Sequence, residues 1–148
     1  MITNERQYRI AKSEARKFEQ SIAATRKAEP SPDVHPRIHD AMIEALESEL
    51  DILREQLDHY EALKAGRVKT REIHSLRDVP VLLIEGRIAA GLTQRQLAGR
   101  LGLPEQQVQR YEATMYSGVS LDRLQEVADA LELEIEERVT YAAPARQR

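Results

Sequence analysis

The 148-residue chain has 41% apolar and 32% charged residues, no cysteine, and no apolar run near the ~18 residues that a membrane span needs. That excludes a disulfide scaffold, a thiolate metal site and a membrane-spanning helix. The net charge of −3 argues against indiscriminate nucleic-acid affinity, but it is sorted by segment: +4 over residues 1–28, −7 over 40–61 and +1 over 67–130.

The opening "MITNERQYRI" is charged from the start and carries no signal-peptide pattern, so a cytoplasmic location is expected. Residues 5–28 predict a helix. Tyr8, Ala11, Ala15, Phe18, Ile22 and Thr25 step 3, 4, 3, 4, 3, the spacing of one helical face. Three prolines in "EPSPDVHP" break it. A second helix is expected from about Pro36 to Ala65, with the stripe Ile43, Leu46, Leu50, Leu53, Leu57 and Tyr60, and Gly66 as its stop. Two heptad-spaced helices on a short rigid loop predict an antiparallel hairpin over residues 1–66, for dimerisation or partner binding. The first helix is basic and the second acidic. Arg9, Lys12, Arg16 and Lys17 are therefore candidate partners for the acids across the seam.

Glu47, Asp51, Glu55 and Asp58 form an acidic face on the second helix. It reads either as plain solvated surface or as a docking surface for a basic partner. His35 and His39 stand four apart, a spacing that can hold a metal. No cysteine or acid at ligand spacing joins them, so surface histidines are the default and no metal site is expected. No Ser/His/Asp set, phosphate-binding glycine loop or paired-carboxylate site emerges, so neither an enzyme nor a cofactor is expected.

Residues 67–73 look extended. Ser75 and Asp78 have capping-box spacing. Helices are expected at about 76–90, 94–101, 104–112 and 120–131. Leu131, Leu133 and Ile135 alternate with glutamates, which predicts a strand that pairs with 67–73 in a small two-stranded β element, Lys69 and Arg71 facing those acids. The tail 142–148 is expected to be disordered.

Within "GLTQRQLAGRLGLPEQQVQRYE" the spacing fits two short helices crossing at a glycine turn. Thr93 is a good N-cap, and Leu97 and Leu101 face inward. Ala98 allows close crossing, Gly102 takes the turn, and Leu103, Val108 and Tyr111 supply the second helix's core. Glu105, Gln106, Gln109 and Arg110 are left on the outer face. Gln matches adenine and Arg matches guanine in a major groove, which makes these four the base-reading candidates. Thr93, Gln94 and Arg95 stand at the first helix's N-terminus, where free amides can hold a phosphate. Glu105 has two candidate roles: accepting from a cytosine amino group, or favouring the helix N-terminus. Arg87, Arg95, Arg100 and Arg110 supply the positive charge of the region.

Through "GLTQRQLA", "LGL", "VQRYE" and "SLDRLQEVADALEL", residues 80–131 resemble the Xre/Cro family of helix-turn-helix DNA-binding proteins. The resemblance implies a five-helix, lambda-repressor-like domain over residues 67–141, usually dimeric on a palindromic double-stranded DNA operator. It also implies a phosphate contact at Gln94 and base contacts at Glu105, Gln106 and Arg110. One departure follows the second helix, where Thr114 stands for a glycine and one residue is added. Small proteins of this build also resemble HigA-like antitoxins of type II toxin–antitoxin pairs. That likeness implies an autorepressing antitoxin whose acidic second helix faces a basic toxin protein. A stand-alone or phage-type repressor and a scaffold that has lost DNA binding are the alternatives.

Overall fold

The computed structural model describes residues 1–29, 35–136 and 138–141. Pro30 and Pro32 of the expected helix break, and the tail 142–148, lie outside the described residues. Among the described residues six α-helices follow in order: α1 (Glu5–Lys27), α2 (Pro36–Lys64), α3 (Val79–Ala89), α4 (Gln94–Leu101), α5 (Glu105–Ala113) and α6 (Leu121–Ala130).

The ends of α1 and α2 are set by their caps. Asn4 accepts the Gln7 N–H at the start of α1, and the His35 ring accepts the Arg37 N–H at the start of α2. The His39 ring nitrogen bonds the Thr25 carbonyl at 3.0 Å. Both histidines thus have structural partners, and no metal-holding group occurs among the described residues.

The two helices lie antiparallel, because contacts pair early residues of one with late residues of the other. Tyr8 stacks on Tyr60 at 5.2 Å, Lys64 meets Glu5 at 2.8 Å, Arg54 meets Glu19 at 2.9 Å, and Arg26 pairs with Glu47. Ala11, Ala15, Ile22, Leu50, Leu57 and Tyr60 are buried along the seam. Each large apolar side chain there contributes about 1.5–3 kcal/mol, so the seam outweighs its exposed ion pairs. The pairing differs from the charge-sorted expectation. Two of these three bridges put the acid on α1 and the base on α2, and Arg9, Arg16 and Lys17 make no ion pair among the described residues. Heptad position decides which charges flank a seam, and the totals per helix do not.

The expected β element is absent among the described residues. Residues 67–73 have no regular structure, and Arg71 pairs with Glu85 rather than with the C-terminal glutamates. At the other end α6 closes in a left-handed turn. Glu132 takes φ +56, its N–H reaches the Asp129 carbonyl, and the Leu133 N–H reaches Ala128. Leu133 then folds back against Gly86, where a Cβ would come within 2.9 Å of its methyl carbon. The Leu131–Leu133 alternation is thus a helix stop.

The expected first helix at 76–90 divides. Ser75 accepts the Arg77 N–H and starts a 3₁₀ turn, Leu76–Asp78, which leads into α3 with Pro80 in its first turn. Asp78 makes no capping bond, so the box is not completed. The fifth helix implied by the resemblance is also missing among the described residues, because the left-handed Glu132 turns the chain out of α6 into an exposed coil.

Leu83, Ile84 and Ile88 of α3 pack with Leu97, Val108, Val127 and Leu131 in a core that α3–α6 share. Ile2, Tyr60 and Leu63 extend this core toward the hairpin.

Candidate nucleic-acid interface

Local sequence fixes how α4 and α5 meet. Thr93 accepts the Gln96 N–H at 3.1 Å, and the Gln96 side chain accepts the Thr93 N–H at 2.8 Å, a complete capping box. Gly102 at φ +66 ends α4, and Ala98, almost fully buried, lets α5 pass close. Leu97 and Val108 are fully buried, whereas Leu101, Leu103 and Tyr111 are half-buried. Pro104 stands at the N-cap of α5 without a side-chain capping bond, so the helix starts at Glu105, one position after the expected start. A Cβ at Gly99 would meet nothing within 4 Å, so this glycine serves no close approach among the described residues.

Beneath this surface lies a polar cluster that sequence reading missed. Arg87 is buried and donates to both Glu112 carboxylate oxygens, to the Leu92 carbonyl at 2.9 Å and to the Thr3 carbonyl at 2.6 Å. Gln94 donates to Glu112 at 2.7 Å. A buried ion pair of this kind contributes geometry more than net stability, and removing one partner strands a charge at about 3–5 kcal/mol. The available signal was the pair of ionic residues Glu85 and Arg87 inside the otherwise apolar "VPVLLIEGRIA". Arg87 is therefore not a surface cation. Nor is Arg100 free, since it donates to the Ala130 carbonyl at 2.8 Å and caps the C-terminus of α6. Of the four arginines expected to give positive surface, Arg95 pairs with Glu105, and Arg110 is left without a side-chain partner among the described residues.

Among the outer-face residues, Glu105 is engaged within the chain. It lies in the first turn of α5, accepts from Arg95 Nε at 3.1 Å and from Gln109 Nε2 at 3.2 Å, and so ties α4 to α5. Gln106 and Arg110 stand four residues apart on the same exposed face and make no side-chain hydrogen bond among the described residues. After α5, Met115 (φ +49) and Tyr116 (φ +54) are both left-handed, each at a cost of ~1–2 kcal/mol for a non-glycine residue. This is where the sequence departs from the family pattern.

On α2, the acidic residues do not form one set. Glu47 is taken by Arg26 and Asp51 lies 3.7 Å from Arg54, whereas Glu55 and Asp58 are exposed with no ion pair among the described residues.

Residues 83–138 match the helix-turn-helix family model. The match begins inside α3 and takes in α4, α5 and α6, so the two helices that cross at Gly102 lie within it, in the order of a helix-turn-helix pair. No curated protein and no solved structure matched the chain. No described helix is long and apolar enough to cross a membrane.

Proposed function

We propose that this protein is a sequence-specific DNA-binding transcriptional regulator, acting by binding rather than by catalysis, as a homodimer on a palindromic operator. The observation that carries this reading is the state of the outer face of the helix-turn-helix. Gln106 and Arg110 project from α5 uncommitted, while Glu105, Arg95 and Gln109 brace the frame that aims them. Gln106 can pair bidentately with adenine and Arg110 with guanine. The free N–H groups in the first turn of α4, beside Gln94, can hold a phosphate.

The test is a titration against the DNA upstream of the protein's own gene. Arg110→Ala should weaken specific binding by about 1–3 kcal/mol and relax one base position, while Gln94→Ala should weaken binding to all sequences alike. Absence of binding at low salt would sink the reading.

A second reading adds the antitoxin role. It is favoured by Glu44 and Asp58, exposed on α2 with no ion pair among the described residues. A basic toxin encoded by the adjacent gene would dock there. Changing both residues to Lys should leave the melting temperature unchanged and abolish co-purification with that gene's product. Retention of the partner would remove this role.

A further inference from the structure

A second apolar line runs along α2, on a side that α1 does not cover. Ile38, Met42, Ala45 and Ile52 fall within one sector at 3.6 residues per turn. Ile38, Met42 and Ile52 leave 55%, 54% and 50% of their surfaces exposed. Single exposed apolar residues are ordinary, but three on one line form a patch. Toward the C-terminus the same line continues through Gln56, His59 and Leu63. There the chain covers it with its own domain: Leu63 is buried, and the His59 ring lies 2.7 Å from Glu85 of α3.

We propose that a second copy of the chain covers the bare part of this line, with its α2 antiparallel to the first and Ala45 on the two-fold axis. The stripe is its own complement in that register. Ile38 and Ile52 each lie two heptad steps' half-span, seven residues, from Ala45, so Ile38 meets the partner's Ile52 and each Ala45 meets its twin. The smallest side chain sits at the crossing, where two helices must come closest. Length fits as well. The α2 of the second copy begins at Pro36, which falls opposite Arg54, five residues before His59, where Glu85 of α3 meets the line. Charge fits too. Arg37 and Glu55 are exposed with no ion pair among the described residues, and this register sets Arg37 beside the partner's Glu55, twice per dimer. A parallel register would set Arg37 against Arg37. Glu49, the charged residue on the line, falls opposite the partner's Ala41, whose small side chain leaves the carboxylate a path to water.

This arrangement deepens the DNA-binding reading, and its assembly does not depend on it. The two His59 positions, where the helix-turn-helix segments attach, lie about 42 Å apart along the paired helices. That is of the same order as the ~34 Å between successive major-groove faces of a palindromic site.

The chain has no cysteine, so an introduced thiol is the sole one. Under mild oxidation Ala45→Cys should give a disulfide-linked dimer. Ile38→Cys alone should not, because its two thiols lie about 21 Å apart, whereas Ile38→Cys combined with Ile52→Cys should cross-link. By light scattering the wild type should show twice the 16.9 kDa chain mass, and Ile52→Glu the single mass with its helical circular dichroism retained. Arg37→Glu should weaken the dimer, and adding Glu55→Arg should restore it. A monomeric wild type at tens of micromolar would overturn the proposal. So would a dimer that Ile52→Glu leaves intact, or one that Ile38→Cys links alone. A gel shift separates the two readings: a dimer of this register that binds no DNA sinks the regulator, and a DNA-binding monomer sinks this interface.

Discussion

Tyr116 concentrates several costs in one residue. Its backbone is left-handed at φ +54, its side chain is buried, and its ring stacks on Tyr111 at 5.6 Å. Its hydroxyl has no hydrogen-bond partner among the described residues. Burial pushes its pKa well above the ordinary tyrosine value, and the nearby Glu112 carboxylate adds to this. A buried hydroxyl left unpaired costs about 1–3 kcal/mol. Tyr116→Phe keeps the ring and removes that cost, so the variant should be more stable by about 1 kcal/mol in urea denaturation. The pH dependence has a definite sign. A pKa raised in the folded state means that the unfolded chain loses the proton first, so stability is intact below pH 10 and falls as pH rises beyond it. Tyr60 acts in the same direction through its burial. The Phe variant should therefore lose stability less steeply above pH 10. A variant no more stable than the wild type, with an unchanged alkaline limb, would show that the hydroxyl is satisfied in solution.

At the scale of elements, the end of α6 makes its own prediction. Glu132 occupies the position where such a turn prefers glycine, at φ +56, and its ion pair with Arg100 is long at 3.9 Å and exposed. Glu132→Gly should raise stability by about 1 kcal/mol, read as a higher melting temperature, and an unchanged value would mean that the turn is not left-handed in solution. The same turn explains what the sequence could and could not reveal. The six helices were legible because each carries an apolar face at helical spacing, from Tyr8–Thr25 on α1 to Val127–Leu131 at the end of α6. The core positions Leu97, Ala98 and Val108 were legible for the same reason, as was Gly102. Leu131 and Leu133 misled because two residues that flank a left-handed stop alternate just as strand residues do. What separates the cases is the docking of Leu133 on Gly86, a contact 47 residues back along the chain. Arg87 and Arg100 misled in the same way, since a charge shows in a sequence and its buried or capping partner does not. The acid–base pairing of α1 with α2 depends on which flank of the seam each residue occupies, which segment totals cannot report.

Across the whole molecule, the hairpin and the helix-turn-helix differ in charge and periodicity, but they are joined by more than the segment after Gly66. Ile2, Tyr60 and Leu63 extend the shared core. The Thr3 carbonyl accepts from the buried Arg87, and His59 and Arg71 both contact the carboxylate of buried Glu85. A fragment of residues 67–148 retains α3–α6 and the Arg87–Glu112 pair, so it should still fold. It loses one acceptor for Arg87, the His59 contact to Glu85, and the apolar cover that Ile2, Tyr60 and Leu63 supply. At about 1.5–3 kcal/mol for each large apolar side chain fully buried, and less for partial cover, the expected loss is about 2–4 kcal/mol. For a domain of this size that corresponds to a melting temperature lowered by roughly 10 °C or more. If α2 is also the dimer contact, the fragment should be monomeric and bind a palindromic site more weakly than the full chain, while one half-site is read as before. Circular dichroism melts of fragment and full chain, set beside half-site titrations, decide it. Equal melting temperatures would show that the two parts are energetically independent. An unfolded fragment would show that the hairpin is part of the core of the helix-turn-helix domain and not an attachment to it.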